Sequence, residues 1–139
     1  MKLVVDANIF ISAIIGGKAA ELLFNPNFDL LTTERTTWEV KKYSPQLAEY
    51  SEDTSAHLLF LFELIPVRAC QSNEYEKSLS IARSIIGSRD PCDVDILALT
   101  LETRVPLWSN DADFENINEI TLFKTEDIIE LVKLFKVDK

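Results

Sequence analysis

The sequence predicts an α/β domain, a three-layer α/β/α sandwich around a mostly parallel sheet of roughly five strands. Three observations predict it. Short β-branched or aliphatic runs alternate with longer helical patterns along the whole length. Cap and breaker residues fall between them. A chain of 139 residues with 47% hydrophobic content suits one domain, residues 1–139, that buries about two-thirds of its unfolded surface in one core.

Lys2 to Val5 reads as a buried strand that ends at Asp6, and IFISAII behind it as an apolar helix stopped by Gly16-Gly17. A second helix covers Lys18 to Phe24 and ends before Pro26, and Phe28 to Thr32 returns as a strand. Thr33 caps the helix ERTTWEVKKY. Ser44-Pro45 offers a cap followed by proline at a first helical position, so a separate helix is expected from there to about Phe62. Ile65 to Val67 is a third strand, and Ser72 to Ile86 a helix ending at Gly87. Asp90-Pro91 starts DVDILALTLE, whose Ile96, Leu97 and Leu99 need a partner surface. Val105 to Trp108 is a strand, SNDADF a turn and Thr121 to Phe123 the last strand. Thr125 caps EDIIELVKLFK, with acids in its first turn and lysines towards its end, as the helix dipole favours.

Composition excludes several classes. No apolar run approaches the roughly 20 residues of a membrane helix, and MKLVVDANIF lacks the cleavage site of a signal peptide, so a cytoplasmic protein is expected. Cys70 and Cys92, the two cysteines, form neither a C-x-x-C pair nor a disulfide framework and read as plain buried or half-buried thiols. A formal charge of −9 argues against a general nucleic-acid coat, because nonspecific affinity comes from lysine and arginine. The excess of carboxylates needs explaining: it is an ordinary solvated surface, or part of it converges on a metal.

Ligands of an open parallel sheet gather beyond the carboxyl ends of the strands, where the strand order reverses. Asp6 follows the first strand and Asp111 follows a later one. Asp93 opens a helix and Glu39 lies within the helix after the second strand. Each also has a structural reading. Asp6 serves as a helix cap, Glu39 pairs with Thr36 in a capping box or is solvated, Asp93 suits a helix dipole, and Asp111 and Asp113 flank a turn. The functional reading rests on the set.

VVDANIF, TTWEVKKY, DPCDVDILALTL and PLWSNDADF, in that order, resemble the PIN-domain family, which includes the VapC-type toxins. The resemblance runs over essentially the whole chain. It implies that Asp6, Glu39, Asp93 and Asp111 form the family's acidic quartet, both catalytic and metal-holding. Asn8 and Ser109 stand where the family places small polar residues, and Asp113 is a further candidate beside them. Asp93 is taken over Asp90 and Asp95 as the family acid that stands ahead of the apolar stretch, here ILALT. The expected activity is that of a Mg²⁺- or Mn²⁺-dependent endoribonuclease, with RNA as substrate and an antitoxin as candidate partner. A catalytically silent PIN-like module that binds RNA or protein is the alternative.

The chemistry fits such a set. Crowded carboxylates repel one another, which raises their pKa values or demands a cation, and oxygen-only donors select a hard ion rather than zinc. A metal that activates water needs no histidine, and the single histidine, His57, lies away from the acidic motifs. Lys18, Arg35, Lys41, Lys42 and Arg89 lie near them and are candidates for touching an RNA backbone. A receiver-type domain would carry an adjacent acidic pair after its first strand, whereas VVDAN supplies one acid. Stretches such as HLLFLFELI are apolar over more than one helical face, which makes a homodimer a further candidate assembly.

Overall fold

The computed structural model describes residues 1–51, 53–87 and 90–137. Its sheet contains β1 (Lys2–Val5), β2 (Asp29–Thr33), β3 (Val67–Cys70), β4 (Leu107–Trp108) and β5 (Leu122–Phe123), in the order β3-β2-β1-β4-β5. Every neighbouring pair is parallel. The chain lays β2 and then β3 to one side of β1 and afterwards crosses back to place β4 on the other. The strand order therefore reverses between β1 and β4.

Side chains alternate along each strand, so each feeds both faces of the sheet. Leu3, Val5, Leu30 and Trp108 join one core with α1 (Ala7–Ile14), α2 (Ala19–Leu23), α4 (Ser55–Leu64), α7 (Thr125–Val137) and Val40 of α3 (Glu34–Tyr50). Val4, Leu31 and Leu107 join the other with α5 (Leu79–Ile86) and α6 (Pro91–Thr103). The expected three-layer α/β/α sandwich results. Among the described residues no helix is long and apolar enough to cross a membrane.

Helix α6 is buried over its whole circumference from Val94 to Thr100. Its polar groups must therefore find internal partners. The Thr100 hydroxyl donates to the Ile96 carbonyl at 2.8 Å. Asp95 accepts from the Tyr75 hydroxyl at 2.6 Å and from Arg35 Nε at 3.1 Å.

The structure departs from the expected elements in three places. No helix begins at Ser44-Pro45; α3 runs through Pro45 to Tyr50. Proline there removes the N–H that would bond the Lys41 carbonyl, and the Ser44 hydroxyl donates to that carbonyl at 2.8 Å instead. The same hydroxyl meets Ser55 Oγ at 2.9 Å and ties α3 to α4. The next helix starts only at Ser55, where the Thr54 side chain accepts from the His57 N–H. Secondly, Ser72 to Ile86 is not one helix. Two 3₁₀ turns, Ser72–Glu74 and Glu76–Ser78, precede α5. In that winding residues three apart eclipse, so Tyr75 and Ser78 both meet α6 side chains, at Asp95 and Glu102. Thirdly, two strands start late: β3 at Val67 rather than Ile65 and β4 at Leu107 rather than Val105, because Pro66 and Pro106 have no N–H for the ladder.

Candidate metal centre

The strand ends place the acids. Asp6 leaves β1 with its N–H donating to the Trp108 carbonyl at 3.1 Å, so its backbone is pinned to the end of β4. Its Oδ1 accepts from the Ala7 N–H at 2.8 Å, which makes it the cap of α1. Its Oδ2 accepts from the Ser109 hydroxyl at 2.7 Å. Ser109 is fully buried, and its oxygen accepts from the Asp111 N–H at 3.1 Å. One hydroxyl thereby positions two acids. Asp111 Oδ1 in turn accepts from the Asp113 N–H at 2.9 Å, fixing the turn after β4.

Asp93 reaches the same place from the first turn of α6. Carboxylate oxygens of Asp6, Asp93 and Asp111 all lie within 4.8 Å of one another. Burial raises the Asp6 carboxyl to about 6, against the hydrogen bonds from Ser109 and Ala7, with the charges of Asp111 and Glu39 adding to the rise. Burial likewise raises Asp93 to about 7, helped by the negative charges of Asp6, Asp90, Asp111 and Asp113. Both carboxyls are thus held close to the pH at which a cation or a proton must neutralise them.

Glu39 stands beside this trio in a second group, with Asp90 and Cys92, whose ligand atoms also lie within 4.8 Å of one another. Its charge is felt at Asp6. Glu39 lies beyond the first turn of α3, whose cap is Thr33 bonding the Thr36 N–H at 2.9 Å, so it closes no capping box. Asp90 caps α6 through the Cys92 N–H at 2.9 Å. Asp95 is turned away into its bonds with Tyr75 and Arg35. Of the three acids opening α6, Asp93 is the one that joins Asp6 and Asp111.

Asn8 Oδ1 is buried without a hydrogen-bond partner among the described residues, two positions after Asp6. Cys70 is buried, as expected. Cys92 takes a more particular place than the sequence suggests: its thiol bonds Glu39, and burial with that contact pushes its pKa far up. The one sequence signal for it is its position directly before Asp93. Of the basic candidates, Arg35 pairs with Asp95, Lys41 pairs with Glu63 at 3.0 Å, and Lys42 lies over the Trp38 ring. Lys18 lines a cavity against α7. Arg89 lies outside the described residues.

Three oxygen donors converging from separate elements, two of them with raised pKa values, fit a hard divalent cation. Asn8 Oδ1 is a buried oxygen left over beside them.

A sequence profile of the PIN domain matches residues 4–128 of the chain. Among curated proteins no sequence relative is detectable. Among solved structures, the crystal structure of VapBC2 from Rickettsia felis bound to a DNA fragment from their promoter contains a chain similar to this one. The TM-score is 0.66 at 14% identity, covering 89% of this chain and 98% of that one. At that identity the likeness is one of fold.

Proposed function

The chain belongs to the PIN-domain family, and from that premise we propose that residues 1–139 form a single unit acting in the cytoplasm as a Mg²⁺- or Mn²⁺-dependent endoribonuclease. The observation that carries this reading is the convergence of Asp6, Asp93 and Asp111 within 4.8 Å at the point where the strand order reverses.

In this reading Asp6, Asp93 and Asp111 hold the ion and Glu39 completes the acidic quartet beside them. When bound, a divalent ion supplies Lewis acidity towards a phosphoryl oxygen and lowers the pKa of water. The chain supplies position and charge. Ser109 orients one oxygen of Asp6 and the backbone of Asp111. Asp113 fixes the Asp111 turn, and Asn8 offers a further oxygen. The choice of Mg²⁺ or Mn²⁺ follows from the all-oxygen trio.

The family resemblance to VapC-type toxins and the likeness in fold to a chain of VapBC2 support a toxin role with an antitoxin as partner. Exposed Phe60 and Leu64 on α4 support self-association as a homodimer.

Incubation of labelled RNA with the protein and Mn²⁺ or Mg²⁺, with chelator in one sample and Asp6→Asn protein in another, tests the activity. Cleavage lost in both controls is expected. Cleavage retained by Asp6→Asn sinks the site assignment, and RNA bound but never cut would mark a silent binding module of the same fold.

A further inference from the structure

One surface formed by α3, α6 and the turn before α5 has the chemistry of a nucleotide subsite. Glu34, Arg35, Trp38, Ser72, Tyr75 and Asp95 line a groove of about 450 Å³. Trp38 is 59% exposed there, although a large aromatic gains most from burial. Lys42, one helical turn further along α3, holds its ammonium 5.0 Å from the Trp38 ring centroid and so occupies one face of the ring. The exposed part of the ring offers a surface to a planar partner.

Arg35 is held ready in the same groove. Its Nε donates to Asp95 at 3.1 Å, and the Tyr75 hydroxyl bonds the same oxygen at 2.6 Å. Asp95 is buried while the Arg35 side chain is 49% exposed. Among the described residues the two Nη groups have no protein partner, so the guanidinium is anchored at one edge and open at the other. An arginine so placed suits the oxygens of a phosphate.

The groove is built on the same two helices, α3 and α6, that carry Glu39 and Asp93. Arg35 and Glu39 lie one turn apart on α3, about 6 Å, and across the interface Asp95 and Cys92 of α6 pair with them in turn. We propose that this groove binds one nucleotide of a single-stranded RNA adjacent to the cleavage point, with its base stacked on Trp38 and its phosphate on Arg35. The inference rests on the ribonuclease reading for its ligand class. A protein partner would also value an exposed tryptophan and arginine. RNA is favoured because a stacking surface and a guanidinium stand on the same two helices as acids suited to a metal-held phosphate.

The test uses full-length Asp6→Asn protein, which is not expected to cut, and a fluorescein-labelled single-stranded RNA of mixed sequence, read by anisotropy. Trp38→Ala in that background is expected to weaken binding about tenfold or more, as loss of a base-stacking aromatic does, and Trp38→Phe to recover most of it. Unlabelled RNA should also quench tryptophan fluorescence, since Trp108 is fully buried and Trp38 alone is open to a base. Affinity unchanged in Trp38→Ala, no recovery in Trp38→Phe or unquenched fluorescence overturns the subsite and leaves Trp38 to a protein contact. Wild-type cleavage, measured in parallel with Mn²⁺, separates the two readings. Cutting with unchanged Trp38→Ala affinity sinks the subsite alone. Trp38-dependent binding without cutting sinks the nuclease alone.

Discussion

The Ser109 hydroxyl donates to Asp6 Oδ2 at 2.7 Å across 103 residues of sequence, and the Ser109 oxygen itself accepts from the Asp111 N–H. That bond lowers the Asp6 pKa against the effect of burial. Ser109→Ala is therefore expected to move the acid limb of the activity–pH profile to higher pH and to weaken metal affinity. Its cost in stability should be about 1 kcal/mol. A pH profile identical to wild type would show that Ser109 does not govern the ionisation of Asp6.

The trio makes the metal-free protein sensitive to pH. Asp6 rises from 3.8 to about 6 and Asp93 from 3.8 to about 7, so the folded state holds protons that the unfolded chain has already released. Their contribution to stability is present in full below about pH 4 and is lost as pH rises through about 6 to 7. Without metal, Asp6→Asn should be more stable than wild type by on the order of 1–2 kcal/mol at about pH 8, after allowing for the disturbed Ser109 contact. That advantage should disappear near pH 4. Urea unfolding at the two pH values with chelator present measures it, and a difference independent of pH would contradict the raised Asp6 pKa.

A divalent ion should offset the same repulsion. Mn²⁺ or Mg²⁺ at about 100 times its dissociation constant stabilises a folded protein by about 2.7 kcal/mol. Thermal unfolding of wild type should shift upward accordingly near neutral pH, and that of Asp93→Asn much less. Equal shifts in the two proteins would remove Asp93 from the metal set.

Asp95 should behave in the opposite way to Asp93, although the two are separated by one residue. Its carboxylate is buried and bonded to Tyr75 and Arg35. Asp95→Asn should cost on the order of 1–3 kcal/mol in folding while leaving metal affinity within a factor of about three, less than the tenfold that 1.4 kcal/mol represents. Calorimetric titration with Mn²⁺ together with thermal unfolding separates the two roles. A large loss of metal affinity in Asp95→Asn would mean that the wrong acid of α6 had been assigned.

Helix α3 offers a test of the fold itself. Ser44 satisfies the carbonyl that Pro45 cannot reach and meets Ser55 across the turn to α4. Ser44→Ala should destabilise the protein by about 1–2 kcal/mol. Denaturant midpoints measure this, and an unchanged midpoint would mean that these contacts add nothing net.

The layers, the strand alternation and the grouping of acids at strand ends were legible in the sequence because they depend on local pattern. β-branched runs ended at Asp6 and near Thr32, and cap residues stood at Thr33 and Asp90; Thr125, expected as a cap, is instead the first residue of α7, and its hydroxyl accepts from Trp108 and Asn110. Ser44-Pro45 misled because a cap and a proline look the same locally whether they open a helix or are carried inside one. The deciding bond, from Ser44 to Lys41, depends on the helix continuing. Tyr75 was hidden for a different reason: its winding answers to Asp95, 20 residues away.

By itself the sequence determined which residues could serve: single acids after strands, an acid before the apolar ILALT stretch, and a serine two residues ahead of Asp111. Tertiary structure alone decided how they group. Parallel pairing of β1 with β4 brings Asp6 to Ser109, and burial of α6 on every side turns Asp95 into the protein and Asp93 towards Asp6. It also sets Glu39 beside Cys92 and opens the Trp38 face. Local pattern fixes where a side chain leaves its own element, whereas distance and desolvation come from elements far apart in the chain, and these are what raise the Asp6 and Asp93 pKa values.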